Sequence, residues 1–379
     1  MPNVPPLRFP EFSGEWEKCQ LGETCTFFSG GTPTSSNKDY YDGGISFIRS
    51  GEINADCTEL FLTREGFENS SAKMVEKGDL LLALYGATSG EIAISKINGA
   101  INQAILCIRS SDNNIFIKSV WEKHVQHILQ VYLQGGQGNL SADIVKKLSF
   151  YFPLIEEQNK IAAFISLLDK RIATQIRVIE DLQTLKKAII ERSYNAGGKV
   201  HKIGELIEQV SKRNKSNDYP VLSVNNRLGF IEQADQFEDR TVASDDTSNY
   251  KVVSTNDFAY NPARINVGSI ARLKDRTNGI VSPMYVCFHT KNTLLPEYME
   301  YFFDTTYFKH EMFKRLEGSV RLCLSYEGLC NISMYIPSID EQKKLSDRLS
   351  AIEQKIQLES TLLEKFKSQK MYLLQQMFI

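Results

Sequence analysis

The chain contains its own copy of a long helical segment. Residues 148–194 align without a gap to residues 332–378, an offset of 184 with eleven identities. The shared positions include Pro153/Pro337, Glu157/Glu341, Gln158/Gln342, Lys160/Lys344, Glu180/Glu364 and Lys186/Lys370. In the first copy Ile161, Ile165, Leu168, Ile172, Ile179, Leu182 and Ile189 follow alternating four- and three-residue steps. In the second, Leu345, Leu349, Ile352, Ile356, Leu363, Phe366 and Leu373 keep the same register. Such a seam, sustained for about four heptads, predicts two helices that pack as a coiled coil. About 40 residues at 1.5 Å each make a rod of roughly 60 Å, too long for an ordinary core helix.

Polar residues interrupt the seam at matching places, Gln175 with Glu359 and Lys186 with Lys370. Parallel pairing would stack the two lysines, a like-charge contact in a poorly solvated seam. An antiparallel pairing with Lys186 near Glu359 and Lys370 near Gln175 is therefore expected. The helix limits are legible too. Ser338-Ile339-Asp340-Glu341 fits a capping box, and Glu156 and Glu157 favour the positive end of the first helix. Asn195-Ala196-Gly197-Gly198 suits a glycine C-cap.

Each helix follows a segment of domain size, and the two segments resemble each other faintly. Leu21-Gly22-Glu23 recurs as Ile203-Gly204-Glu205, and Leu140-Ser141 as Leu324-Ser325. Both read as short strands between Gly, Asn, Asp and Pro: ISFIRS, DLLLALYG, EIAISKI and AILCIRS, then PVLSV, DFAYN, GSIARL and PMYVCFH. One helical stretch follows in each, around 117–133 and 296–316. The expected fold is α+β, with two β-rich mixed domains in tandem separated by two long helices packed antiparallel. The boundaries read as a first domain 1–152, a first long helix 153–197, a second domain 198–336 and a second long helix 337–379.

Composition excludes several classes. The 44 Lys and Arg against 46 Asp and Glu leave no global basic field, although local patches alone can bind a polyanion. No apolar run approaches the ~18 residues of a membrane span. Seven cysteines without a Cys-x-x-Cys pair suggest reduced thiols and a cytoplasmic chain.

Catalytic constellations are missing. Gly86-Ala87-Thr88-Ser89-Gly90 lacks the lysine of a phosphate loop. Tyr260-Asn261-Pro262-Ala263 departs from an amino-methyltransferase motif at its last residues, where Ala263 and Arg264 stand in place of proline and an aromatic. No Pro-Asp dipeptide marks a nuclease metal site. His124 and His127 lack a third ligand, and the Cys323…Cys330 spacing suits buried thiols better than zinc. The sequence predicts a binding protein, with no catalytic residue, metal or cofactor of its own.

The P-x-x-x-E-Q-x-K-I/L pattern that opens a long helix twice, after paired β-rich domains, resembles the specificity subunit of type I restriction–modification systems. The opening LRFPEFSGEWE, the GGTPTS segment, the GGQGNLS…FPLIEEQNKIA run and YNPARINVGSI carry the same likeness over essentially the whole chain. The resemblance implies that each domain reads one half of a bipartite, asymmetric target in double-stranded DNA. It implies that the helices set the spacing and dock two copies of a methyltransferase subunit, with motor-nuclease subunits in the full complex. S-adenosylmethionine, ATP and magnesium would then reside on partner subunits.

Arginine reads guanine and asparagine or glutamine reads adenine, while lysine neutralises phosphate. On that chemistry the candidates in the first domain are Thr34, Ser35, Asn37, Lys38, Arg49, Ser50, Gln137 and Asn139. In the second they are Arg213, Asn225, Asn226, Arg227, Arg264, Asn266 and Arg321, within basic surroundings at 212–215 and 251–276. Glu157, Gln158, Lys160, Glu341, Gln342 and Lys344 are candidates for partner docking or for the helix start. The alternative reading is an adaptor without nucleic acid, two ligand-binding domains on a coiled-coil rod. The near-neutral charge is compatible with it.

Overall fold

The structure is a computed structural model describing residues 3–110, 113–133, 139–195, 199–215, 219–226, 228–233, 247–318 and 321–379. It divides into two compact units, residues 1–176 with 361–379, and residues 177–360. Each unit holds one globular domain and part of both long helices.

In the first unit, one four-stranded sheet has the order β2-β9-β6-β7: Cys25–Ser29, Ile105–Ser110, Leu80–Ala83 and Ile92–Ile94. A second has the order β4-β3-β8-β5: Leu60–Leu62, Tyr41–Ile48, Gly99–Ile101 and Lys73–Val75. A ribbon of β1 (Glu17–Gln20) and β10 (Ser149–Phe152) leads into the first long helix. β3 and β8 run parallel, with Phe47 opposite Ala100, while the other paired strands of this unit are antiparallel. The continuous apolar run of β6 has a simple cause, since both of its faces are covered. Leu80 and Leu82 pack with Trp16, Phe116 and Trp121, and the alternate residues Leu81 and Ala83 pack with Ile48, Val75 and Ile101.

The second unit repeats this plan. Its sheets have the orders β12-β19-β16-β17 (Ile207–Gln209, Val286–Thr290, Phe258–Tyr260, Ile270–Arg272) and β14-β13-β18-β15 (Gly229–Glu232, Val221–Asn225, Asn278–Val281, Lys251–Ser254). β11 (Val200–Lys202) pairs with β20 (Ser333–Tyr335) as β1 does with β10. Again one pair, β13 with β18, is parallel. Phe258 and Tyr260 face one core and Ala259 the other. The faint sequence likeness is thus a duplicated topology.

The helical stretch of the first domain is a single helix, Asn114–Leu133. Its counterpart is two, Pro296–Phe302 and Thr306–Phe313, and not the one stretch expected. Thr305 makes the break: its hydroxyl donates to the Phe302 carbonyl (2.7 Å) and accepts from the Phe308 amide (3.0 Å), starting the second helix afresh.

The long helices span Ile155–Tyr194 and Ile339–Met377. The predicted seam is their less exposed face, with Ile161, Ile165 and Leu349 fully buried. Ser338 and Glu341 form the capping box, amide to carboxylate at 3.0 Å and amide to hydroxyl at 3.4 Å. The glycine cap expected at Gly197-Gly198 lies outside the described residues.

Pairing is antiparallel within each unit. In the first, the Arg171 guanidinium lies 4.1 Å from the Phe366 ring centre, and toward the start of that helix Ile161 and Ile165 share a core with Leu374 and Phe378. In the second, Lys186 bonds to Glu353 and Ile190 shares a core with Leu349. The exact partners differ from those expected. Lys186 meets Glu353 at 2.6 Å, and Lys370 meets Asp169 at 2.6 Å, each six residues before the position predicted. Asp169 and Glu353 flank the seam and keep partial contact with water. Glu359 is held by Lys355 on its own helix (2.5 Å).

Candidate nucleic-acid interface

In the second domain, three loops meet beside the two sheets. Asn225 ends β13, and its Oδ1 accepts from the Leu228 amide (3.1 Å), shaping the turn into β14 that presents Asn226. The β16–β17 connection carries Arg264 and a 3-10 turn, Ile265–Val267, anchored by the buried Ile265 with Asn266 and Val267 exposed. It closes at Gly268 with φ +89°, a backbone state that suits glycine. Asn225, Asn226 and Asn266 line one cleft of about 570 Å3, deepened by Arg272, Tyr301 and Asp304. Arg264 lines an adjoining hollow of about 210 Å3 with Ser223 and Tyr285. The third loop, with exposed Arg321, is pinned where the Leu324 amide donates to the Pro262 carbonyl (3.1 Å).

Arg213 stands apart from this group. Its backbone pairs with Lys251 on β15, the edge of the sheet opposite β14, and its guanidinium bonds to the Asn249 carbonyl. Arg227 lies outside the described residues. Much of the basic stretch at 251–276 is neutralised internally. Arg272 pairs with Glu297 and Glu300, Lys274 with Glu300 at 2.7 Å, and Arg276 with Glu232 at 2.8 Å. Those side chains hold the domain together, whereas Arg264 and Arg321 have no ion pair among the described residues.

The first domain's candidates fall on two connections. Thr34, Ser35 and Lys38 are exposed between β2 and β3, while the Asn37 side chain accepts from the Asp39 amide (3.2 Å) to start a short turn. Arg49 follows β3, and Ser50 begins the turn after it. Arg49 is engaged by Glu52 (2.9 Å) and Glu59 (2.5 Å), which hold its guanidinium firmly protonated and leave little net charge for phosphate. Asn139 is exposed, and Gln137 lies outside the described residues. A loop absent from these candidates, residues 84–90 between β6 and β7, occupies the place that 262–268 fills in the second domain.

Residues 13–183 and again 198–368 match the type I restriction modification DNA specificity domain, one copy for each domain with the helix that follows. The chain belongs to that family. Such specificity chains target DNA and are not catalytic. A specificity subunit of a type I restriction enzyme from Methanocaldococcus jannaschii is 23% identical over 97% of this chain and 93% of its own length. One from Escherichia coli is 26% identical over 43% of this chain and 42% of its own. The crystal structure of a type I system S subunit from M. genitalium has a TM-score of 0.61 at 14% identity, covering 99% of both chains, and so shares the fold. A chain from a structural study of type I complex assembly and conformational transition reaches 0.55 at 14% identity, covering 95% and 96%.

The motif that opens each helix of this specificity chain is built inward. The Gln158 and Gln342 side chains, both buried, each donate to the carbonyl of the motif's proline, Pro153 or Pro337, at 3.0 Å. Gln342 also donates to the Thr293 carbonyl (3.0 Å) and accepts from the Leu295 amide (2.8 Å). Glu157, 1% exposed, takes a two-pronged bond from Arg8 at 2.7 and 2.6 Å. These three residues start helices, and a docking partner would not reach them. Glu341 caps at the surface, Lys160 reaches Glu11 (2.5 Å) across the Phe9 ring, and Lys344 is exposed.

The rejected catalytic motif has a structural role here. Tyr260 is buried with its hydroxyl donating to the Leu324 carbonyl (3.2 Å), and the Asn261 Oδ1 accepts from the Ala263 amide (3.1 Å). The His124 ring lies 5.2 Å from that of Phe150, tilted against it, and meets the Ile379 backbone oxygen at 3.1 Å, and burial pulls its pKa below the ordinary value. All seven cysteines are free thiols. Among the described residues no helix is long and apolar enough to cross a membrane.

Proposed function

We propose that this chain is the DNA-reading subunit of a type I restriction–modification complex in the cytoplasm, in which each domain reads one half of a bipartite, asymmetric target. The observation that carries this reading is a duplicated topology with unlike loops. The connections 84–90 and 262–268 hold the same place in the two domains, but the residues on them differ, so one scaffold can present two base preferences. The long helices set the distance between half-sites. The duplicated rod surface offers the same docking face twice, for two methyltransferase subunits. Motor-nuclease subunits join in the full complex, and S-adenosylmethionine, ATP and magnesium belong to these partners.

Exposed Arg264 and Arg321, with Asn226 and Asn266 beside them, are the contacts of the second domain. Guanine and adenine edges in the major groove are their natural partners. Thr34, Ser35, Lys38 and Asn139 face DNA from the first. Gel shifts of the chain with its methyltransferase partner, across salt, test the role. Binding to duplex DNA that weakens steeply with salt is expected. Retention of a protein or glycan ligand with no DNA affinity at low salt would favour the adaptor reading instead.

A further inference from the structure

Two of the first domain's candidates with base-reading chemistry are engaged locally. Arg49 is neutralised by Glu52 and Glu59, and the Asn37 Oδ1 is engaged in a local turn. The duplicated fold supplies a further element. Residues 84–90 lie between the paired Leu82 and Ile92 as 262–268 lie between the paired Tyr260 and Ile270, with no insertion between them. Each connection is pinned by a matching bond from the residues just before a short helix, Ala142–Lys147 or Tyr326–Cys330: Leu140 amide to Leu84 carbonyl (3.0 Å), Leu324 amide to Pro262 carbonyl (3.1 Å). Each ends on a glycine of positive φ, +86° at Gly90 and +89° at Gly268. Ser141 and Ser325, next along the pinning loops, both cap the helix that follows.

The turn at 85–89 is also held rigidly. The Ser89 hydroxyl donates to the Leu84 carbonyl (3.0 Å), and the buried Trp121 indole donates to the Gly90 carbonyl (2.8 Å). A Cβ at Gly90 would lie 3.0 Å from Val125 and Leu129, so the turn sits tight on the Asn114–Leu133 helix. At its tip Gly86 and Ala87 are exposed and Thr88 is half-buried. No hydrogen bond among the described residues engages the Thr88 hydroxyl. A rigid turn with an exposed methyl and an unused hydroxyl is suited to a base edge.

We propose that the Tyr85–Ser89 turn is a base-reading loop of the first domain, with Ala87 and Thr88 as its specificity-determining contacts. The inference rests on the DNA-reading role proposed above and assigns it to residues. Methyl and hydroxyl groups suit the thymine methyl and a neighbouring base edge, whereas the arginine and asparagine of the matching loop suit guanine and adenine. The two domains thereby read different bases from one place in one fold.

The test uses the full chain with its methyltransferase subunit. The target is first mapped from methylated sites in cells, and duplexes carrying single base-pair changes in either half are then compared by competition gel shift. Thr88→Ala should lower discrimination at one base pair of one half about tenfold and leave the other half unchanged. Ala87→Arg, at an exposed position that folding tolerates, should shift preference at a pair in that same half. Arg264→Ala should act on the opposite half. If both first-domain variants discriminate like the parent while Arg264→Ala retains its effect, the loop assignment is wrong and the DNA-reading role stands. If the parent does not prefer its own methylated sequence, both fall together.

Discussion

Lys370 reaches Asp169 across the helix pair at 2.6 Å, and the same bond is made again by their copies, Lys186 and Glu353, at 2.6 Å. Both residues of the second pair are displaced by the repeat offset of 184. The likeness extends to a third residue. Lys370 also meets Glu122 (2.7 Å) on the Asn114–Leu133 helix, and Lys186 comes within 3.9 Å of Asp304, which follows the Pro296–Phe302 helix. A lysine in the seam thus ties the partner helix and the globular domain together, once in each unit. The ends of the long helices repeat as well. Phe378 packs 5.4 Å from Phe116, and its copy Tyr194 packs 4.6 Å from Tyr298.

The two lysines should not be equally costly to lose. In the first unit Lys118 also bonds to Glu122 (2.7 Å) and Asp169 (2.9 Å), so the carboxylates keep a cation when Lys370 is removed. At the position matching Lys118 stands Glu300, which serves Arg272 and Lys274. Lys186→Ala should therefore destabilise its unit by about 1–2 kcal/mol, since the pair is part-buried and Glu353 keeps only the Tyr301 hydroxyl (3.1 Å). Lys370→Ala should cost less. Urea melts of the two variants compare them, and equal losses would refute the compensating role of Lys118.

Acid should act on the two domains in opposite ways at one matched position. Burial opposes ionisation of Asp79, but the Arg109 guanidinium (2.7 and 2.6 Å) and the Glu76 amide outweigh it and hold the carboxyl below its ordinary range. At the matching Asp257 burial dominates and pushes the pKa up, because His289 stands where Arg109 would be. Asp79 thus adds stability above its unfolded value of about 3.9 that is lost as pH falls through the lower folded value. Asp257 does the reverse: its contribution is full below about 3.9 and is lost as pH rises through the higher folded value. Asp79→Asn should cost stability at pH 7, and Asp257→Asn should be neutral or stabilising there. Urea melts between about pH 3 and 7 read both signs.

Gln342→Ala should be costly. It removes bonds to Thr293, Leu295 and Pro337 in a fully buried place and strands the Leu295 amide. A loss of about 2–4 kcal/mol is expected, since each stranded buried group costs about 1–3. Thermal unfolding of the variant beside the parent measures it, and an unchanged midpoint would contradict the role of Gln342.

What the sequence revealed follows from which signals are local. The seam from Ile161 to Ile189, its copy, and the Ser338–Glu341 cap depend on spacing along one chain, and spacing is visible in a string of letters. The identities at Glu157 and Gln158 marked an important position, but their inward use against Arg8 and Pro153 depends on the fold. Charge counting failed around 251–276 because the carboxylates that neutralise Arg272 and Lys274 lie some 25 residues further along, at Glu297 and Glu300. The 84–90 turn carried a signal only in retrospect. Its glycine at position 90 matches Gly268, but the flanking residues share almost nothing until the strands are superimposed.

The division of reading between the two domains is probed by a chain that carries the first domain twice. Replacing residues 203–332 with residues 21–148 keeps both long helices and both β-ribbons' helix-proximal strands. With the methyltransferase partner present, methylated sites mapped in cells should change from two unlike half-sites to two copies of one half-site, separated by an unspecified gap. An unchanged motif, or one uninterrupted block of specified bases, would contradict it.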